Sequence, residues 1–555
     1  MPITVPAKTL VPFTTEIPVK VKNLLIAFLG AAAIFCCGCV AIEADTPAEG
    51  NKKNIKIGWA KADITPPGPA FLGGQQFVRL ATEVRDPLFA TAMAVESGGE
   101  KLILISVDTV SVQLPLMTKV RSKVSAATGV PEMNIILFAT HTHTAPQYGE
   151  VVPKKYWDGG FTPTLGIGRG TIGADVEQFR KQYPDLVDSK DYFYLLADRI
   201  STAAITAWQQ RQNAKIAYGM GEAAIGECRR LVVEKRGGVM YADEAVEKIT
   251  HAEGHVDHSL NIMAVYTSGG KLTGLIINLA CPSQVFEAHS FVSADFWGDV
   301  RKEVAKKYGK DIFILPQCSP AGDQSPHKLL NRKADARMMQ LRGQLKTPMK
   351  NWKWVSRAFN RDYNEARSKE ITRRIMSSLD EVLPVISKTA DAAPVVKHTA
   401  AILQLPPRHI TPEEYAKAVT EIEALQAHRK KNNITTYSGS LNWHRRVINR
   451  YRHKVQSVAR EIHVFRIGGA AFATNSFELY LDYGDRIKGM SKAEQTFLIQ
   501  LAGENGASYL PSVRSGTTGY GSAPASCSVV PAAGDMIVAE SVKAINALFA
   551  PSPQK

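Results

Sequence analysis

Cysteine is scarce in this chain, with only seven in 555 residues. Three of the seven end an apolar N-terminal run, and four are spread through the rest of the sequence: Cys36, Cys37, Cys39, Cys228, Cys281, Cys318 and Cys527. Small secreted folds that depend on disulfides need a much higher density of cysteine, so this class is excluded. One or two disulfides remain compatible with an oxidising compartment.

Internal repeats and long low-complexity linkers are also missing from the sequence. Their absence excludes a solenoid and a string of short modules. Because 45% of the residues are hydrophobic, the chain has enough apolar side chains to bury a substantial core. We therefore expect one large folded domain over residues 50–548.

Positive charge is in excess, with a formal net charge of +15 at pH 7. Aromatic residues do not interleave with the basic ones as they do in nucleic-acid-binding modules, so nucleic acid is not expected as a partner. Much of the excess lies in residues 327–374 and 428–460, and we interpret the second stretch as a solvated helical face. A weak attraction to anionic lipid is also compatible with this charge, so peripheral membrane contact stays open.

The N-terminus is typical of an export segment. Lys20 and Lys22 precede an apolar run from Leu24 to Phe35, and the sequence then becomes small and polar. We interpret residues 1–44 as a signal peptide or lipoprotein-type export segment, since the apolar run is too short for a convincing membrane span. This predicts a periplasmic or secreted protein, with lipid attachment at one of the three nearby cysteines as the alternative.

Short apolar runs alternate with helical patterns after residue 50. Strands are predicted at residues 55–59, 102–107, 134–138, 260–265, 275–279 and 312–315. Helices are predicted at residues 116–128, 192–211, 296–308, 365–379, 412–428 and 495–501. The mixture is typical of an α/β fold, and we expect one large mixed α/β domain in which loops at strand ends form a site.

Two histidines, His141 and His143, directly follow the apolar run Ile135 to Phe138. In a strand, residues i and i+2 project from the same face, so we expect the two imidazoles side by side at the strand's C-terminal end. Neutral imidazole is a common zinc ligand and a common acid or base. The pattern therefore indicates a metal or proton-transfer site, and two polar residues in an ordinary loop remain the alternative.

Two further segments bring reactive side chains to turns. Residues 316–326 follow a buried-looking strand, and their bends can present the Ser325 hydroxyl and backbone N–H groups to a pocket. Residues 278–283 end another strand and deliver Cys281 to a turn. Taken alone, each segment is also compatible with an ordinary turn or, for the cysteine, with a small buried hydrophobe.

Taken together, these segments resemble the catalytic domain of the neutral, non-lysosomal ceramidase family, in the same order along the chain. Gly58–Pro67 is similar to the first signature of the family, and Arg85–Leu88 to the next one. Ala139–His143 matches the family's ATHTHS/T motif, and Gly322–Pro326 is similar to its G-[ND]-x-S-P turn. The resemblance spans roughly residues 54–545 and implies a divergent bacterial-type member.

The resemblance implies a zinc ion and a set of ligands for it. His141, Glu478 and Tyr509 occupy the places of three family ligands, and Cys281 replaces the family's second zinc histidine. A cysteine thiolate is an excellent zinc ligand, so these four side chains would still form a tetrahedral site. Two alternatives remain open: His289 takes the place of Cys281, or Cys281 pairs with another cysteine, Cys228 or Cys318, and the metal site is damaged.

The resemblance also implies the catalytic residues. Ser325 would supply the active-site hydroxyl, Arg229 would hold the substrate carbonyl, and His143 would pass a proton to the leaving amine. Cys228 replaces the asparagine that precedes this arginine in the family. Whether Ser325 or a zinc-bound water attacks the substrate stays open.

The implied function is that of an exported, zinc-dependent amidohydrolase. It would cleave the N-acyl amide bond of ceramide or of a related N-acylated lipid or amino sugar. The alternative is a catalytically silent, exported binding protein that keeps the fold. The oligomeric state is not determined by the sequence.

Overall fold

The computed structural model describes residues 54–149, 179–242, 247–346, 360–433, 439–503, 508–516 and 518–551. All of them belong to Asn51–Lys555, the larger of the two units into which the chain divides. The predicted export segment, residues 1–44, lies outside the described residues. Within the described ranges, no helix is both long enough and apolar enough to cross a membrane.

The strands include every one predicted from the sequence. In chain order they are β1 (Lys56–Asp63), β2 (Ala70–Phe71), β3 (Leu80–Ala81), β4 (Phe89–Ser97), β5 (Glu100–Val107), β6 (Ile135–Ala139), β7 (Gln212–Glu222), β8 (Glu227–Cys228), β9 (Arg230–Val233), β10 (Gly237–Met240), β11 (Ile249–Ala252), β12 (Ser259–Thr267), β13 (Leu272–Leu279), β14 (Phe313–Cys318), β15 (Gln324–Ser325), β16 (Val396–Leu405), β17 (Val458–Ile467), β18 (Ala470–Thr474), β19 (Glu478–Leu479), β20 (Gln495–Ile499) and β21 (Tyr509–Leu510).

Several of the helices begin at a residue whose side chain accepts a hydrogen bond from the first turn. In chain order the helices are α1 (Leu114–Thr128), α2 (Ser189–Gln209), α3 (Phe296–Tyr308), α4 (Arg332–Leu341), α5 (Arg361–Ile386), α6 (Pro412–Lys431), α7 (Gly439–Arg452), α8 (Leu481–Met490) and α9 (Ala532–Leu548). The Asp295 carboxylate accepts from the N–H of Phe296 at the start of α3, and Thr411 with Glu414 forms a capping box on α6. The predicted mixed α/β fold is confirmed.

The largest sheet has eight strands in the order β14-β13-β12-β7-β1-β4-β5-β6. The two outer pairs are parallel, and the strands between them are antiparallel. Along β5, Ile103 and Ile105 pack on the helical side, while Leu102 and Leu104 pack on the opposite face. Because both faces of the sheet are buried, the strand has a continuous apolar sequence rather than an alternating one.

A second sheet, in the order β16-β17-β18-β20, covers the other face of the large sheet. Its strand β20 corrects the helix predicted at residues 495–501. Phe497 and Ile499 face the large sheet, while Leu498 faces a separate core with α8 and α9. From sequence alone, a short apolar run that is buried on both sides is compatible with a helix or a strand. Here the segment is a strand because it pairs with β18.

Substitution of Phe472 tests how much the packing between the two sheets contributes to stability. Its fully buried ring stacks on Phe465 and Phe497, with centroids 4.6 and 4.5 Å away. We expect Phe472→Ala to lower the free energy of unfolding by about 3–5 kcal/mol, because it leaves a cavity between the sheets. Urea unfolding would measure the loss. Ile402→Ala, at a 59% exposed position of the same sheet, is the matched control and should change stability by only about 0.5 kcal/mol.

Candidate active site

Two short strand pairs bring the predicted site residues together. Strand β15 pairs antiparallel with β8, so Ser325 lies opposite Glu227, two residues before Arg229. Strand β19 pairs in parallel with β21, and this register sets Glu478 directly opposite Tyr509. Each pair joins residues that are far apart in the chain.

The turn before Ser325 lies against β19 without a gap. The N–H of Gly322 donates to the carbonyl of Leu479 at 2.9 Å. A Cβ atom at Gly322 would lie 2.3 Å from the carbonyl oxygen of Glu478. Only glycine allows this approach, which links the serine turn to the glutamate strand.

The two histidines lie close together, but strand periodicity is not the cause. Strand β6 ends at Ala139, and His141 has a left-handed backbone with φ of 66°. The chain therefore turns at His141, and the expectation of two side chains on one strand face is wrong. The imidazoles still lie edge to face, with centroids 4.8 Å apart and Nε2 atoms 3.3 Å apart.

Hydrogen bonds fix the proton on each ring. Nδ1 of His141 lies 2.7 Å from the carbonyl oxygen of Val110, and a carbonyl only accepts, so Nδ1 carries a proton. The side-chain amide of Gln284 donates to Nε2 of His143 at 2.8 Å, while its oxygen accepts from Arg229 at 3.3 Å. Burial above all, helped by the positive charge around the ring, holds the pKa of His143 well below its usual value. His143 is therefore neutral, with the proton on Nδ1.

Arg229 lies at the centre of the site and is buried. Its Nη1 donates to the hydroxyl of Tyr241 at 2.8 Å. Its Nη2 donates to the Tyr509 hydroxyl at 3.0 Å and to the carbonyl of Gly322 at 2.9 Å. The same nitrogen lies 3.5 Å from Oε2 of Glu478. The guanidinium thus links the segment that carries Arg229 to the serine turn and to the strands of Glu478 and Tyr509.

Glu478 and Tyr509 are buried beside this charge. Burial disfavours the ionised carboxyl, but the neighbouring His141 and Arg229 outweigh it and lower the pKa of Glu478. Burial raises the pKa of Tyr509 well above its usual value, so its hydroxyl stays protonated. Oε2 of Glu478 lies 3.5 Å from Nε2 of His141. The carboxylate oxygen and Nε2 of this imidazole therefore face the same space.

Zinc fits part of the predicted ligand set. His141 and Glu478 are residue types that bind zinc, and the Tyr509 hydroxyl, which is hydrogen-bonded to Glu478, adds a further oxygen. Cys281 makes no hydrogen bond to these three; its thiol faces the carbonyls of Ile225 and Pro282 within an apolar core cluster. Across the described ranges, no three His, Cys, Asp or Glu side chains form a group that could hold a metal.

The alternatives for Cys281 are not found either. All four described cysteines are free thiols, so Cys281 pairs with neither Cys228 nor Cys318. Burial raises the pKa of the Cys281 thiol well above its usual value. The ring of His289 stacks on Phe291 and contacts the side-chain amide of Asn364 at 2.9 Å, and neither is a predicted ligand.

Comparison with known proteins supports the fold. No family model and no curated protein sequence matches this chain. The crystal structure of neutral ceramidase from Pseudomonas aeruginosa matches with a TM-score of 0.59 and 17% identity, over 90% of this chain and 76% of that one. The chain has a ceramidase-like fold. A ceramidase complexed with C2 matches with a TM-score of 0.58 and 16% identity, over 90% of this chain and 77% of that one.

Several residues of the site escaped the sequence analysis. They contact the predicted residues or one another: Gln75, Arg79, Tyr241, Gln284, Glu287 and His327. Their signal in the sequence is weak. Gln284 and Glu287 follow the Cys281 turn and His327 follows Ser325 by two residues, but a glutamine, a glutamate or a histidine in a loop is usually solvated.

Gln284 gives a test of the central hydrogen-bond network. Its side chain is 1% exposed, and Gln284→Leu would leave His143 without its donor and Arg229 without one acceptor. Because buried groups left unsatisfied are costly, we expect the free energy of unfolding to fall by about 1–3 kcal/mol. Gln340→Leu, on the exposed surface of α4, is the control. An equal change in both variants by urea unfolding would contradict this role.

Proposed function

We propose that the protein is an exported hydrolase that cleaves the N-acyl amide bond of ceramide or of a related N-acylated lipid or amino sugar. The fold likeness to the two ceramidases supports a hydrolase of this kind. The narrower statement depends on the side chains that the fold brings together. The observation that carries it is the convergence of the Ser325 turn, Arg229 and His143 on one buried site.

Each of these side chains has a part in amide cleavage. The Ser325 hydroxyl would attack the acyl carbon, and its backbone partner, the N–H of His327, holds its oxygen at 3.1 Å. Arg229 would stabilise the charge on the carbonyl oxygen, because a buried guanidinium is fixed before the reaction starts. His143, neutral in the site, would accept or return a proton at Nε2.

Zinc belongs to the same proposal. His141, Glu478 and Tyr509 would hold the ion, and three protein ligands leave a position open, as in catalytic zinc sites. When bound, zinc would polarise the scissile carbonyl. The partner is a small-molecule or lipid N-acyl substrate, and the basic residues are compatible with peripheral contact to an anionic membrane surface.

A catalytically silent binding protein is the competing function. It would keep the fold and the polar site without turning over the substrate. Turnover decides between the two, because a binding protein would retain an N-acyl lipid and release no fatty acid.

Hydrolysis of a ceramide with a fluorescent acyl chain tests the proposed reaction. We expect release of the labelled fatty acid by the purified protein, and a loss of at least about 100-fold in kcat for Ser325→Ala, since the reacting hydroxyl is removed. Ser387→Ala, in the short 3₁₀ turn after α5, is the matched control and should retain activity. Equal hydrolysis by the wild type and Ser325→Ala would show that the serine takes no part.

Elemental analysis of the purified protein tests the metal. We expect about one zinc per chain in the wild type, because histidine and carboxylate are common zinc ligands. His141→Ala should lose it. The same measurement tests Cys281 as a predicted ligand. Because its thiol is buried within an apolar core cluster, we expect Cys281→Ala to retain zinc, which would leave three protein ligands. Loss of zinc in this variant would show that the thiolate binds the ion.

A further inference from the structure

Three large apolar side chains are exposed in one short segment that follows the serine turn. Leu330, Met338 and Leu341 are 38%, 42% and 63% exposed. A single exposed apolar residue is ordinary on a protein surface, but a group of them marks a contact with another molecule. The proposed reaction gives this segment no part. It belongs to residues 327–374, the first of the two stretches in which the positive charge of the sequence is concentrated.

The periodicity of α4 places two of these side chains on its outer face. Arg332, Ala336 and Met339 are the buried residues of the helix and lie on one side of it. Ala336 and Met339 pack against α5 in a small apolar cluster. A stripe of exposed residues runs along the other side at i, i+3, i+4 and i+7: Ala334, Arg337, Met338 and Leu341. The helix thus has one side against protein and one side that presents apolar groups to solvent.

Positive charge surrounds the exposed apolar groups. Lys333, Arg337 and Lys346 are exposed, and none of the three forms an ion pair in the part of the chain that the structure describes. The acidic residue of α4, Asp335, is turned inward, with its Oδ1 3.5 Å from Nη1 of the buried Arg367. Apolar side chains flanked by exposed cations are typical of helices that lie in the interface of an anionic membrane.

The buried Arg367 also joins this helix to the serine turn. Its Nε donates to the carbonyl of Pro326, the residue after Ser325, at 2.8 Å. Leu329, which lies between the turn and the helix, is buried in an apolar cluster with β9 and anchors the connection. The helix is therefore held in a fixed position relative to Ser325.

The exposed surface also begins close to the serine. Leu330 is the fifth residue after Ser325, and five residues of extended chain span at most about 18 Å. A bilayer in contact with this surface would therefore lie near the proposed site of the reaction.

The other basic stretch, residues 428–460, lacks the apolar part of this pattern. Its helix α7 and the preceding α6 carry exposed cations, among them Lys430 and Arg445. Within the described residues of these two helices, however, no large apolar side chain is exposed. Charge alone gives a weak attraction that salt screens, whereas apolar insertion adds a contribution that salt does not remove.

We propose that the outer face of α4, together with Leu330, is a docking surface for an anionic lipid bilayer. Met338 and Leu341 enter the boundary between headgroups and acyl chains, and the cations face lipid phosphates. The inference rests on the proposed function for its purpose, because an N-acyl lipid substrate is held in a membrane. It goes beyond that function by assigning the membrane contact to one helix.

Sedimentation with lipid vesicles tests the surface without any ceramide. The vesicles consist of phosphatidylcholine alone or of an equimolar mixture with phosphatidylglycerol. We expect the wild type to bind the mixed vesicles at least about 10-fold more tightly, because the cations face anionic lipid. Leu341→Ser should bind the mixed vesicles at least about 10-fold more weakly, since a buried leucine is lost from the contact. Arg337→Glu should weaken the binding by about 10-fold, and less at high salt.

Two variants serve as matched controls. Val385→Ser removes an apolar side chain that is 62% exposed near the end of α5, and Lys430→Glu reverses an exposed charge on α6. Both should bind within about twofold of the wild type, because neither residue lies on the docking surface. Thermal unfolding shows that each variant is folded. Equal binding by wild type and folded Leu341→Ser would overturn the inference, and so would a larger loss in Lys430→Glu than in Arg337→Glu.

Gel filtration tests the other occupant of this face, a second copy of the chain. A dimer that Leu341→Ser converts to a monomer would show that the face is covered by protein, and this result would overturn the inference. We expect Leu341→Ser to leave the oligomeric state of the wild type unchanged.

Hydrolysis of fluorescent ceramide, measured on the same proteins, separates this inference from the proposed function. Leu341→Ser should lose more activity on ceramide in mixed vesicles than on ceramide in non-ionic detergent micelles, where no bilayer has to be bound. Vesicle binding with the expected losses, but without release of fatty acid, would support the surface and contradict the function. Hydrolysis in micelles by a wild type that binds no vesicles would support the function and overturn the surface.

Discussion

The burial of one positive charge governs the architecture of this site. Arg229 is removed from water, and a buried guanidinium is stable only when hydrogen-bond acceptors and negative charge surround it. The chain supplies these from separate segments: a carbonyl of the serine turn, the hydroxyls of two tyrosines, the amide oxygen of Gln284 and, at 3.5 Å, the carboxylate of Glu478. Loss of any one segment would leave the arginine partly unsatisfied.

This requirement gives the site its rigidity. Short two-residue strand pairs are weak on their own, because a ladder of this length contributes few hydrogen bonds. The pairs that carry Ser325 and Glu478 are joined through Gly322, whose backbone contacts both Leu479 and the arginine. The large sheet and its helices supply a stable base, and the arginine links the loops above it.

Two carboxyl groups near the same guanidinium behave differently. Glu478 has a lowered pKa because His141 and Arg229 outweigh its burial, whereas burial dominates at Glu287 and raises its pKa. The first is held as a carboxylate beside Nε2 of His141, which suits a cation. The second, with a pKa raised to about 7, is held closer to its neutral form. The difference arises from the neighbours of each group and not from the residue type.

The sequence by itself determined the mixed α/β class and six of the eight strands of the large sheet, and it predicted the residues from which the site is argued. These follow from local patterns: apolar runs, capping residues and short motifs such as the paired histidines. The tertiary structure alone decided the rest. Strand pairing made residues 495–499 a strand, and a left-handed turn brought the histidines together. Long-range packing added Gln284, Tyr241 and Glu287 to the site, because a contact between distant segments leaves no periodic signal in either one.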